Sequence, residues 1–180
     1  MDAFPLYDSA FEHEACGVGF IAARSLEPSF RMTRLAVECL VRLDHRGARA
    51  ADGTGDGAGI MTELPHRLIA RELASKGIHD VPRDRIGMIM AFLPNDRTDE
   101  ARELIESALA YENVPVLAWR RVPIDPGVLS QRAKDTLPTI EQVIVGSPYD
   151  VDSDGFERRL FLARKHMERA GSHLDLFSIP

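Results

Sequence analysis

A chain of 180 residues that is 44% hydrophobic carries enough apolar surface for one sizeable core, so one domain, or most of one, is the natural count. Its net charge is −6, and the basic residues are dispersed among the acidic ones with no basic block, which argues against nucleic acid as a partner. No apolar run reaches the roughly 18 residues of a membrane span, residues 1–15 carry acidic rather than basic side chains, and two cysteines make neither a disulfide framework nor a paired zinc site; a cytoplasmic protein with no structural metal and no membrane partner is expected.

In chain order, residues 16–23 (CGVGFIAA) read as a short buried strand in which Gly17 and Gly19 permit close backbone approach. Met32, Leu35, Ala36, Cys39, Leu40 and Leu43 then fall on one stripe of an amphipathic helix that ends near Gly47. A glycine-rich loop over 52–59 runs into a strand-like segment at 60–64, and Pro65 suits the first turn of a helix reaching about Ser75. Residues 86–93 (IGMIMAFL) predict a buried strand and Ala101–Leu109 a helix. The second half repeats the alternation: a strand over 114–122, a short helix near Pro126, a strand over 140–145, a polar connection at 147–154, a helix from about Gly155 to Ala170 and a strand over 174–179. Alternation by itself suggests a parallel α/β sheet. A chain stopping on a strand suggests an incomplete domain.

Three features could carry chemistry. Cys16 heads a predicted strand and is followed at once by glycine, which leaves its thiol open to a substrate; a free cysteine is otherwise a small buried hydrophobe, the part assigned to Cys39 on the helix stripe. Arg46, in Asp44-His45-Arg46-Gly47, offers a planar fork that can hold a carboxylate, although a basic residue at a helix end with Gly47 as a left-handed cap is the ordinary alternative. The string Gly53-Thr54-Gly55-Asp56-Gly57-Ala58 mimics a dinucleotide fingerprint, but a helix precedes it and a strand is predicted after it, the reverse of the required order. A tight turn near a substrate is expected there instead.

Together, His13-Glu14-Ala15-Cys16-Gly17-Val18-Gly19-Phe20, Leu43-Asp44-His45-Arg46-Gly47-Ala48 and Thr54-Gly55-Asp56-Gly57-Ala58-Gly59-Ile60 resemble, in order and spacing, the opening of glutamate synthase large subunits, within the class II glutamine amidotransferases. Val116–Arg120, Val122–Asp125 and Pro138–Val145 resemble a later part of the same region, so the likeness runs from about residue 12 to the end. The resemblance implies an α+β fold of the N-terminal nucleophile hydrolase type, a four-layer αββα sandwich incomplete at the C-terminus. It implies that residues 1–15 are a propeptide and that 16–180 is the N-terminal part of the amidotransferase domain. Removal of the propeptide would free the α-amino group of Cys16, whose pKa of about 7.7–8.0 lets it serve as base for its own thiol.

The implied reaction is hydrolysis of glutamine to glutamate and ammonia, with Cys16 as nucleophile, Arg46 on the substrate α-carboxylate and Gly17 as the backbone element beside the nucleophile. This chain needs no cofactor; FMN and an iron–sulfur cluster are implied for the full-length enzyme, which aminates 2-oxoglutarate. Implied partners are the remainder of the large subunit and a small NAD(P)H-oxidising subunit. The asparagine, adjacent glycine and acidic residue expected for the oxyanion hole and the substrate amino group have no assignable position before Pro180, so weak or absent activity is expected of the 180-residue chain. A stand-alone class II amidotransferase subunit and a truncated, non-catalytic interaction module are the alternatives.

Overall fold

The computed structural model describes residues 17–23, 30–55, 57–171 and 177–179. The chain forms two units: Met1–Thr62 with Ser130–Arg132, and Glu63–Leu129 with Ala133–Pro180.

The second unit is built on β1 (Ile86–Leu93), β2 (Val116–Arg121), β3 (Thr139–Gly146) and β4 (Phe177–Ile179) in the order β2-β3-β1-β4. β3 runs antiparallel to β1 from Ile86↔Gly146 to Leu93↔Thr139, and antiparallel to β2 with a bulge between Val116 and Ala118; β4 pairs antiparallel to β1. Two helices, α3 (Thr98–Tyr111) and α5 (Ser153–Ala170), cross from β1 to β2 and from β3 to β4. Each crossover links parallel strands with a gap of one position, and an antiparallel strand fills that gap. This is why alternation did not produce the parallel sheet it suggests. The result is a β-α-β-β-α-β arrangement.

Side-chain parity sorts the sheet into two faces. Ala91, Leu93, Val143 and Val145 meet Ala101, Ile105, Ala108 and Leu109 of α3 and Phe156, Ala163 and Met167 of α5 in the larger core. Ile86, Ala118 and Ile144 on the opposite face pack against Ile69 and Leu73 of α2 (His66–Ser75). Continuous apolar runs became β1 and β3 because both of their faces are covered. One buried carboxylate interrupts the larger core: Glu141 receives two hydrogen bonds from the Arg102 guanidinium, at 2.9 and 2.6 Å. Gly87 is a point of close approach, since a Cβ there would lie 3.0–3.2 Å from Val145, Leu160 and Phe156.

The first unit contains α1 (Phe30–Arg42), a 3-10 turn at Asp44–Arg46 and the loop that follows. Every position of the expected stripe, Met32 to Leu43, is half-buried, while the other described residues of the helix are exposed. Two expected strands are absent as ladders among the described residues: 17–23 pairs with no strand and is exposed throughout, and 60–64 forms no ladder. A run of apolar residues makes a strand only when a neighbouring strand pairs with its backbone, and among the described residues neither run lies in a ladder. The short helix expected near Pro126 is a 3-10 turn, Pro126–Val128, whose capping Asp125 accepts from the Gly127 N–H, followed by α4 (Gln131–Asp135).

Candidate active site

The end of α1 turns tightly. The Leu43 N–H donates to Cys39 and Leu40 carbonyls, and the Arg46 N–H to the Leu43 carbonyl at 2.8 Å, which carries Arg46 on a 3-10 turn directly after the helix. His45 Nδ1 lies 2.9 Å from the Arg42 carbonyl; a carbonyl can only accept, so Nδ1 bears the proton and helps to cap the helix. Gly47 does not supply the left-handed cap that its type suggested: at φ −94° and ψ 149° it is extended and sends the chain straight out of the turn.

Three arginines cluster here and differ in their partners. Arg42 pairs with Glu38 at 2.7 Å, one helical turn back, and Arg49 with Asp44 at 2.6 Å. Arg46 is exposed, and among the described residues its guanidinium has no hydrogen-bond or ion-pair partner. A planar cation left open beside two neutralised ones is suited to an anionic ligand.

Gly17 lies against this same residue. A Cβ at Gly17 would sit 3.3 Å from Cβ and Cγ of Arg46 and 3.1 Å from Cδ2 of Leu43. Two of the three residues singled out from the sequence are therefore in contact. The third, Cys16, lies outside the described residues. Cys39 keeps its place on the α1 stripe but belongs to neither buried cluster; it is half-buried, with its sulfur facing Gly19. Local periodicity signalled the stripe, but nothing in it signalled the Gly19 contact or the pairing that isolates Arg46.

The glycine-rich loop folds back on itself, as a tight turn rather than a phosphate cradle. The Gly53 N–H donates to the Ala50 carbonyl, the Ala50 N–H to the Thr54 carbonyl at 2.7 Å, and Arg49 bridges Gly55 antiparallel. Gly53 adopts φ +82°, which glycine enters without a Cβ clash. Asp52 Oδ1 accepts from the Thr54 N–H at 2.9 Å, and that bond holds the Asp52 carboxyl below its ordinary pKa of 3.8. Thr54 Oγ1 shares a 2.6 Å hydrogen bond with Ser130 Oγ, tying the loop to a residue far along the chain.

Residues 16–177 match the family described as glutamine amidotransferases class-II. The chain is 38% identical over 156 residues to the ferredoxin-dependent glutamate synthase 2 of Synechocystis sp., covering 85% of the chain and 10% of that protein. It is 38% identical over 170 residues to the chloroplastic ferredoxin-dependent glutamate synthase of Spinacia oleracea, covering 93% and 10%. Against the glutamate synthase [NADPH] large chain of Azospirillum brasilense it is 36% identical over 179 residues, covering 96% and 12%. The chain thus spans about a tenth of the length of the curated relatives it matches.

Proposed function

Because this chain belongs to the class II glutamine amidotransferase family, homologous to the front of glutamate synthase large chains, we propose that it is the glutaminase portion of such a synthase, with Cys16 as its nucleophile. The observation that carries the reading is Arg46: its guanidinium has no partner among the described residues, and its aliphatic stem lies against Gly17, the residue following Cys16. Arg46 binds the α-carboxylate of glutamine through its fork and thereby places the side-chain amide over the thiol. The Cys16 thiolate attacks the amide carbon, and the C–N bond breaks with the proton passing to the departing ammonia. Water then cleaves the γ-glutamyl thioester to glutamate and regenerates the thiol.

The fold proposed for the complete domain is the four-layer αββα sandwich of N-terminal nucleophile hydrolases, of which the antiparallel sheet and its helices are one part. Residues 1–15 are a propeptide, because only as a chain terminus does Cys16 carry an amino group able to act as its base. Ammonia passes to 2-oxoglutarate in the remainder of the large subunit. FMN and an iron–sulfur cluster belong there, and electrons arrive from ferredoxin or a small NAD(P)H-oxidising subunit.

The test is ammonia release from L-glutamine by the purified chain. Slow release that is lost in Cys16→Ala is expected, slow because no oxyanion donor is assigned among the described residues and each such donor is worth about 100- to 1,000-fold in turnover. Equal release by wild type and Cys16→Ala would overturn the reading.

A further inference from the structure

Gly19 and Gly17 look onto the same surface. A Cβ at Gly19 would come 3.1 Å from Cys39 Sγ, and one at Gly17 3.1 Å from Leu43 and 3.3 Å from the Arg46 stem, where ordinary contacts are 3.4–4 Å. Cys39, Leu43 and Arg46 follow one another at i, i+4 and i+7, so the backbone of 17–19 rests on one stripe that runs off the end of α1. The residues between and beyond point the other way: Val18 is 91% exposed and Phe20 92%. Neither glycine has a positive φ, so an alanine meets no backbone penalty at either place. What a side chain would meet is the stripe itself, which would have to give by a few tenths of an ångström. The two contacts lie two residues apart in the segment and fall on the same stripe.

We propose that Gly19 is a positioning residue: with Gly17 it sets how closely the segment following Cys16 lies on α1, and through that the distance from the Cys16 thiol to the fork of Arg46. The proposal rests on the reading of Cys16 as nucleophile and Arg46 as carboxylate holder. Glutamine spans those two groups with a fixed number of bonds, so lifting the segment misplaces the amide even though each group stays intact. A displacement of about 1 Å in such a geometry costs on the order of 100-fold, and the few tenths of an ångström needed to seat an alanine should cost about 10-fold.

The experiment compares two electrophiles on the full chain, read by mass at the Cys16 peptide. A diazoketone analogue of glutamine needs its α-carboxylate held at the correct distance; iodoacetamide needs only an open thiol. Gly19→Ala is expected to slow the analogue about 10-fold while iodoacetamide changes by less than about twofold. Adding Cys39→Ala removes the sulfur that the new methyl meets and should restore most of the analogue rate. Cys39→Met, which pushes on Gly19 from the other side, should reproduce the selective loss and serves in place of Gly19→Ala if thermal melting shows that variant unfolded. An unchanged analogue rate in Gly19→Ala, parallel slowing of both reagents, or no rescue by Cys39→Ala overturns the proposal. A wild-type chain that takes iodoacetamide at Cys16 but never the analogue is a different result: it overturns the functional reading and this proposal with it.

Discussion

Arg46→Lys separates carboxylate recognition from everything else at the site. In the structure Arg42 and Arg49 are already matched with Glu38 and Asp44, at 2.7 and 2.6 Å, while Arg46 faces no described acid, so a ligand carboxylate displaces no ion pair when it binds. A hydrogen bond to a charged group contributes about 1.5–3 kcal/mol, and an exposed position places it at the low end of that range. Lysine keeps the charge but gives up the second arm of the fork. One lost arm, at about 1.4 kcal/mol, is a tenfold weaker Kd. Isothermal titration of the full chain with L-glutamine should show that factor between wild type and Arg46→Lys. Titration with γ-aminobutyramide, which is glutamine without its α-carboxylate, should show the same Kd for both proteins. Equal weakening for both ligands would mean that the substitution disturbs the site generally, and unchanged glutamine binding would remove Arg46 from recognition; either refutes the reasoning.

Arg102→Met strands the Glu141 carboxylate, whose side chain is 7% exposed, and breaking a buried pair costs about 3–5 kcal/mol, cut here to about 2 kcal/mol because the Arg102 side chain is 38% exposed and partly screened. Urea unfolding should show that loss, and Arg102→Met with Glu141→Gln should recover part of it. The Glu141 hydrogen bond raises the Arg102 pKa beyond the already high arginine value, so the contribution is fully present below the ordinary arginine range and is lost only as pH rises through the higher folded value; the gap between the two unfolding curves should be flat from about pH 6 to 9. Gly87→Ala drives a methyl to within 3.0–3.2 Å of Val145, Leu160 and Phe156, and the overpacked core should lose about 1–3 kcal/mol, seen as a lower Tm with unchanged urea dependence. The Asp52 carboxyl, lowered by the Thr54 N–H, holds its turn above pH 3.8 and releases it as pH falls through the depressed value; the Thr54 amide resonance should titrate with Asp52 and stay still in Asp52→Asn.

How much of this was legible depends on the range of the interaction. β1 appears over the residues its apolar run predicts, 86–93, and α1, α2, α3 and α5 appear within a few residues of their stripes, because burial of a strand or of one helix face is written into the local pattern. Sheet direction was not: β3 pairs with both β1 and β2, and no local feature of residues 139–146 announces either partner. The same holds for 17–23 and 60–64, where an apolar run proved insufficient without a neighbour to pair with. At the site, motif spacing singled out Gly17 and Arg46, which do meet. It could not show that Arg42 and Arg49 are paired while Arg46 has no partner among the described residues, nor that Gly19 rests on Cys39. Those facts depend on which side chains face one another after the chain turns at Leu43.

The proposed function requires Cys16 to become the N-terminal nucleophile of a glutamine-recognising site. Intact mass of the purified chain, before and after a diazoketone analogue of glutamine and alongside Cys16→Ala, tests it in one measurement. Loss of residues 1–15 and a single adduct absent from Cys16→Ala are expected. A chain that retains residues 1–15 and takes no adduct, or an adduct that persists in Cys16→Ala, would contradict it.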